Sequence, residues 1–261
     1  MKANYHTHTA RCNHASGTDE AFVQAALDAG FETLGFSDHA PWPFASGYIS
    51  GIRMGMDELP DYIQSVRSLQ RKYADQLPIH LGLEAEYYPR YHDYLLRLRE
   101  MGVRYLILGQ HQVDSEEDAP ATCIERRTED GIRRYAEAVV RGIRTGLFVC
   151  VAHPDLIMTQ PDLPLTSAGE EAADMICQAA LEAGIPLEYN LLGVRSQLEG
   201  ERRGYPSQAF WERVKRHGNT VILGVDAHSP DQLRDPRPWA LALEQTRALG
   251  LPLTEQLHLP S

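Results

Sequence analysis

One phrase recurs along this chain. A helical stretch ends at a glycine, an apolar β-rich run follows, and the run closes on a polar residue. Glycine supplies the left-handed position just past a helix at no steric cost. The phrase stands at Gly30 before FETLGFSDH, Gly102 before VRYLILGQH, Gly146 before LFVCVAH, Gly184 before IPLEYN and Gly218 before NTVILGVDAH. Pro78 takes the glycine's place before IHLGLEAEY, and KANYHTH opens the series without a preceding helix. The phrase predicts seven strands, over about 2–6, 31–37, 79–85, 103–110, 147–152, 185–190 and 220–226. Helices are expected over 18–29, 57–75, 91–101, 129–145, 167–183, 206–217 and 236–249. Within 18–29, Phe22, Ala25, Ala26 and Ala29 share one face. Ser167 with Glu170 three residues on predicts a capping box. The strands are nearly continuous apolar runs, as expected when both faces are buried. Strand and helix alternating at this pace mean parallel βαβ units. The 261 residues carry no linker or low-complexity stretch, so one domain over 1–261 is expected.

An α/β chain of this kind forms an open sheet or a closed barrel. No GxGxxG turn follows the first strand, which disfavours a dinucleotide-binding open sheet. The strand ends decide further. They carry His6 and His8, then Asp38 and His39, then Glu84 with Glu86 just beyond, then His111, His153, Asn190, and finally Asp226 and His228. A barrel brings such ends to one mouth, where its chemistry sits, whereas an open sheet spreads them along an edge.

Composition removes several function classes. The 25 basic and 36 acidic side chains give a net charge of −11, a field that repels a nucleic-acid backbone. No apolar run approaches the ~18 residues of a membrane span. The opening MKANYHTHTARC lacks the apolar core of a signal peptide. Cys12, Cys123, Cys150 and Cys177 form no CxxC pair, and scattered thiols fit a reducing cytoplasm. The unusual count is 11 histidines.

Seven of them, His6, His8, His14, His39, His111, His153 and His228, lie at strand ends or in the loop leaving the first strand. A single such histidine is ordinarily a hydrogen-bonded structural residue; seven together point to metal. Imidazoles with a few carboxylates and no thiolate pair favour zinc, iron or manganese. On a strand, HxH puts both rings on one face. Seven histidines with Glu84 and Asp226 exceed the needs of one ion, so two or three divalent ions with a bridging carboxylate are expected. Glu84 or Glu86 could bridge, since both point to one face. Cys12 could touch metal or pack its loop. His80, His92, His217 and His258 are expected at the surface.

HTHTARCNHAS (6–16), SDH (37–39), GLEAEY (82–87), GQH (109–111), AHPD (152–155) and GVDAHS (224–229) together resemble the polymerase-and-histidinol-phosphatase (PHP) metallohydrolase family. The HTHTxxCxH opening and the insert 40–56 resemble its histidinol-phosphatase branch. The resemblance implies a distorted (β/α)7 TIM-like barrel with a trinuclear centre at the strand mouth. It implies a first ion on His6, His8, Glu84 and Asp226, a second on Glu84, His111 and His153, and a third on His14, His39 and His228.

The implied reaction is hydrolysis of a phosphate monoester, L-histidinol phosphate, with water activated by metal. Asp226 and His228 are the expected proton donors to the leaving alkoxide. Arginine pairs bidentately with phosphate. Arg195, just beyond strand six, is the first candidate for that role and Arg53, in the insert, the second. Rival readings change the substrate to a nucleotide, sugar phosphate or phosphotyrosine, or make the chain a metal-stabilised binding module. Amide hydrolysis is disfavoured because no strand ends in the lysine that other metal barrels use as a bridge. A small phosphorylated metabolite is the expected partner; substrate choice is expected in loops 40–56 and 191–206.

Overall fold

The computed structural model describes residues 2–119, 128–157, 164–201 and 203–260. Seven strands form one parallel sheet in chain order: β1 (Ala3–Asn4), β2 (Thr33–His39), β3 (Ile79–Ala85), β4 (Tyr105–Leu108), β5 (Cys150–Val151), β6 (Leu187–Asn190) and β7 (Val221–Gly224). Between and after them run α1 (Asp19–Asp28), α2 (Leu59–Lys72), α3 (His92–Glu100), α4 (Glu129–Arg144), α5 (Ser167–Ala183), α6 (Leu191–Leu198), α7 (Gln208–His217), α8 (Pro230–Arg234) and α9 (Pro236–Leu249).

The sheet closes on itself through its two ends. Thr7 and Ala227 form a parallel bridge, with His8 N–H donating to the Ala227 carbonyl at 2.9 Å and Ala227 N–H to that of His6 at 3.2 Å. Asn4 reinforces the seam from within β1. Its side-chain oxygen accepts from Val225 N–H at 2.8 Å, and its amide donates to Thr7 Oγ1 at 2.8 Å. The result is a seven-stranded, distorted TIM-like barrel.

Two apolar layers follow from closure. A small cluster fills the barrel, including Ala3, Tyr5, Tyr105, Ile107, Val149 and Ile222. The larger one lies between strands and helices and includes Phe22, Leu34, Phe36, Leu83, Leu108, Tyr135, Val139 and Trp211. Tyr105 crosses the interior and donates to the carbonyls of Tyr5 at 2.8 Å and Phe36 at 3.0 Å. Its ring needs Gly82, whose Cβ would lie 2.3 Å from it.

Helix ends show where local signals were incomplete. The cap of α5 is Thr166, whose side chain accepts from Gly169 N–H at 3.1 Å; Ser167 is already the first helical residue. The loop expected after β6 is in fact α6. Asn190 caps it, its side-chain oxygen accepting from Leu192 N–H at 2.9 Å and Gly193 N–H at 3.2 Å. An asparagine directly before an apolar stretch is a helix-start signal, here hidden by the strand that ends on it. No helix among the described residues is long and apolar enough to cross a membrane. Cys12, Cys150 and Cys177 are free and buried; Cys123 lies outside the described residues.

Candidate metal centre

Only two of the expected metal ligands stand on strands. His39 ends β2 and pairs in register with Glu84 on β3. The others occupy the turns beyond: His6 and His8 after β1, His111 after β4, His153 after β5, Asp226 and His228 after β7. His14 follows a 3₁₀ turn, Ala10–Cys12, that ends on Asn13 at φ 67°. His153 and Asp226 also have positive φ, 31° and 53°. That region is sparsely populated by non-glycine residues and is held only where surrounding structure over-determines it.

All nine expected donors converge. His6 Nε2 and His8 Nε2 lie 3.1 Å apart, and Asp226 Oδ1 is 3.4 Å from the first and 3.1 Å from the second. Glu84 Oε2 is 3.5 Å from each of these nitrogens and 3.0 Å from His39 Nδ1. Glu84 Oε1 faces His153 Nε2 at 2.8 Å and His111 Nε2 at 3.7 Å. His14 Nε2 and His228 Nε2 are 3.0 Å apart. Glu84 therefore stands between two sets of nitrogens, one on each oxygen. Gly109 makes room for it, since a Cβ there would lie 1.9 Å from Glu84 Oε1.

The donor set suits cations. His8 Nδ1, His39 Nδ1, His153 Nδ1, Glu84 Oε2 and Asp226 Oδ1 are buried without a hydrogen-bond partner. Each such group costs about 1–3 kcal/mol if left so. Glu84 Oε2, Asp226 Oδ1 and His39 Nδ1 belong to the converging atoms themselves. The electrostatics agree. Burial would raise Glu84, but the charges of His111, His39 and His6 pull it well below the usual carboxylate range. Burial likewise opposes Asp226, and His6 and His8 pull it down. For His6, burial is outweighed by Asp226, Glu188 and Glu84, which hold it well above its ordinary value. Burial drives His228 down to about 4, so it stays neutral and able to donate a lone pair.

Glu86, the rival bridge, points elsewhere. Its Oε1 accepts from His111 Nδ1 at 3.0 Å and from Arg53 Nη2 at 2.9 Å, and Trp42 Nε1 donates to Oε2 at 3.2 Å. Arg53 is buried and also donates to Glu116 Oε2 at 2.8 Å. Arg195 sits on α6, where it donates to Asp235 Oδ2 and to the Gln232 carbonyl, both at 3.1 Å. Neither arginine lines the cleft over the nine donors, which corrects their expected placement. The unpredicted helix α6 turns Arg195 toward α8 and α9, and acidic partners hold Arg53 inside the insert. Cys12 is fully buried beside His14 and His8. Of the four remaining histidines, His217 pairs with Asp174 at 2.9 Å and His80 stacks on Tyr5.

The cleft encloses about 370 Å³ and is rimmed by Ile52, Leu156, Leu192, Arg203 and Tyr205. Arg203 and Tyr205 lie in the stretch 191–206 expected to set substrate choice, but no motif singles either out, and only folding brings these two over the mouth. Glu188 was also missed, because it lies two residues before the strand end that was read as functional. It is buried and accepts from His6 Nδ1 at 2.8 Å.

Comparison with known proteins places this geometry in context. A probable histidinol-phosphatase of Deinococcus radiodurans is 32% identical over 87% of this chain and 86% of its own length. The histidinol-phosphatase of Bacillus subtilis is 25% identical over 87% of this chain and 94% of its own. A histidinol phosphate phosphatase from Lactococcus lactis, solved with zinc, L-histidinol and phosphate, superposes with a TM-score of 0.74 at 19% identity, covering 98% of each chain, so the two share a fold. The family model described as PHP domain matches residues 4–191, from β1 to the start of α6, and takes in seven of the nine converging donors. With the barrel and those donors in the same span, the chain belongs to the PHP-domain family.

Proposed function

We propose that this protein is a metal-dependent phosphatase that hydrolyses L-histidinol phosphate to L-histidinol and phosphate. The observation that carries the reading is the convergence of nine metal-capable side chains, eight of them lining one cleft, with Glu84 Oε2, Asp226 Oδ1 and His39 Nδ1 buried there without a hydrogen-bond partner. Relatives named histidinol-phosphatase, similar over most of their length, support the substrate.

His6, His8, Glu84 and Asp226 would hold one ion, Glu84, His111 and His153 a second, and His14, His39 and His228 a third. Divalent ions there supply charge neutralisation at the phosphoryl oxygens and bring the pKa of water from 15.7 toward about 7. The protein's own residues do the rest. Arg203 replaces Arg195 and Arg53 as the cation that meets the phosphate, because it lines the cleft and its side chain stays 47% exposed, with its Nε engaged by the exposed Glu201 at 2.9 Å. Its planar fork suits two phosphoryl oxygens. Ile52, Leu156, Leu192 and Tyr205 give the remainder of the substrate an apolar wall and exclude water. The expected proton donors, Asp226 and His228, have no acidic proton to give, since Asp226 is held ionised and His228 neutral; water in the cleft protonates the leaving alkoxide.

The test is phosphate release from a panel of phosphorylated metabolites, with zinc, manganese or iron supplied. L-histidinol phosphate should be turned over with the highest kcat/KM. Equal low rates across the panel would overturn the substrate, and no metal-dependent release at all would overturn the enzyme.

A further inference from the structure

The inner carboxylate of β6 touches more of the metal centre than its place in the chain suggests. Glu188 points into the barrel and is 3% exposed. Its Oε1 accepts from His6 Nδ1 at 2.8 Å. Its Oε2 accepts from the backbone N–H of His153 at 3.1 Å and from Asn190 Nδ2 at 3.0 Å. The same Asn190 amide nitrogen reaches Asp226 Oδ2 at 3.0 Å. One carboxylate thus ties together three candidate ligands that come from three separate turns, after β1, β5 and β7. Space for it is made across the sheet by Gly224, where a Cβ would lie 1.8 Å from Glu188 Oε1.

The direction of these bonds matters. An ionised carboxylate only accepts, so the His6 bond places the proton on Nδ1. Neutral His6 then has its lone pair on Nε2, the atom that faces His8, Asp226 and Glu84. The other tautomer would put a hydrogen where an ion must sit. The bond to His153 N–H holds a backbone that lies at φ 31°, and the Asn190 relay holds the carboxylate of Asp226, whose own φ is 53°.

We propose that Glu188 is a positioning residue of the metal centre: through His6 Nδ1, His153 N–H and the Asn190 relay to Asp226, it fixes the tautomer of one ligand and the register of three. It is not one of the nine donors. The inference rests on the metal-centre reading above.

Glu188→Gln is the discriminating change, because it keeps size and shape. In either orientation of the amide, its NH2 faces at least one of the three donors, so one bond is lost and replaced by a donor–donor contact. Wild type, Glu188→Gln and Glu86→Gln are titrated with zinc against a chromophoric chelator, and kcat and KM are measured on the same preparations. Glu188→Gln should weaken the zinc site that uses His6 by about 10–100-fold and lower kcat with KM little changed. Glu86→Gln should weaken the site that uses His111 instead. Wild-type zinc affinity and kcat in Glu188→Gln would overturn the proposal. If Glu188→Gln does not fold, the zinc-loaded wild type decides. Its His6 ring should show the proton on Nδ1 by 15N NMR, and a proton on Nε2 would overturn the proposal. Wild type that binds no zinc would overturn the metal-centre reading itself, an outcome distinct from either of these.

Discussion

Glu84 and Glu86 are two residues apart on the same side of the barrel, yet their surroundings separate their roles. Glu84 faces five imidazoles, those of His6, His8, His39, His111 and His153, and no arginine. Glu86 is neutralised by Arg53 and orients the far nitrogen of His111. Glu84→Ala should therefore abolish tight binding at two sites, while Glu86→Ala should weaken metal by about 10–100-fold. Elemental analysis of the two purified variants checks this; loss of metal in Glu86→Ala with retention in Glu84→Ala would exchange the roles. The arginines separate in the same manner. Arg195→Ala should leave kcat/KM near wild type, because its guanidinium is engaged by Asp235 and Gln232. Arg203→Ala should lower kcat/KM by about 10–1,000-fold, roughly 1.4–4 kcal/mol of transition-state stabilisation. Metal content should be unchanged in both, and steady-state kinetics with metal analysis on one preparation reads out each arm.

At the scale of elements, helix ends govern where side chains point. The α5 helix begins one residue earlier than its Ser-x-x-Glu pattern suggests, because Thr166 supplies the capping oxygen. Thr166→Ala should cost about 1 kcal/mol, whereas Ser167→Ala, at the first helical position, should be close to neutral. Urea unfolding of both variants measures the difference, and equal losses would contradict the assigned cap. The same logic makes α6 consequential. Asn190 serves at once as the end of β6, the cap of α6 and the relay between Glu188 and Asp226. A short helix started there carries Arg195 away from the mouth and puts Leu192 at its rim.

For the whole molecule, the centre is also a source of instability until cations fill it. Glu84, Asp226, Glu188, Glu86 and Asp38 are all buried at the strand mouth. Bound ions would screen that charge and tie strands β2 and β3 to the turns after β1, β4, β5 and β7. An ion present at 100 times its dissociation constant stabilises the fold by about 2.7 kcal/mol. In a chain of this size each kcal/mol moves Tm by about 2–4 °C, so exhaustive chelation should lower Tm by roughly 5–10 °C. Thermal melts with chelator, and again after zinc is restored, measure it. A Tm indifferent to chelation in protein shown to be metal-loaded would mean the ions do not brace the barrel.

The sequence by itself determined the βαβ rhythm, the number of strands and the nine residues that meet at the mouth. Each of these is carried by local chemistry: a glycine past a helix, an apolar run buried on both faces, and a polar side chain where the run stops. Those signals survive without knowledge of what packs against them. Only the tertiary structure decided which side chains serve the metal ligands and which face the substrate. Glu188, Arg53 and Glu86 form buried pairs between residues far apart in the chain, and no spacing rule reports a partner 182 residues away such as His6 and Glu188. The sequence favoured Arg195 and left Arg203 unmarked; α6 turns Arg195 into the helix packing, and Arg203 lines the cleft. Closure was expected from the strand ends, but its seam belongs to this second class: β1 and β7 meet through Asn4, Thr7 and Ala227, residues from opposite ends of the sequence.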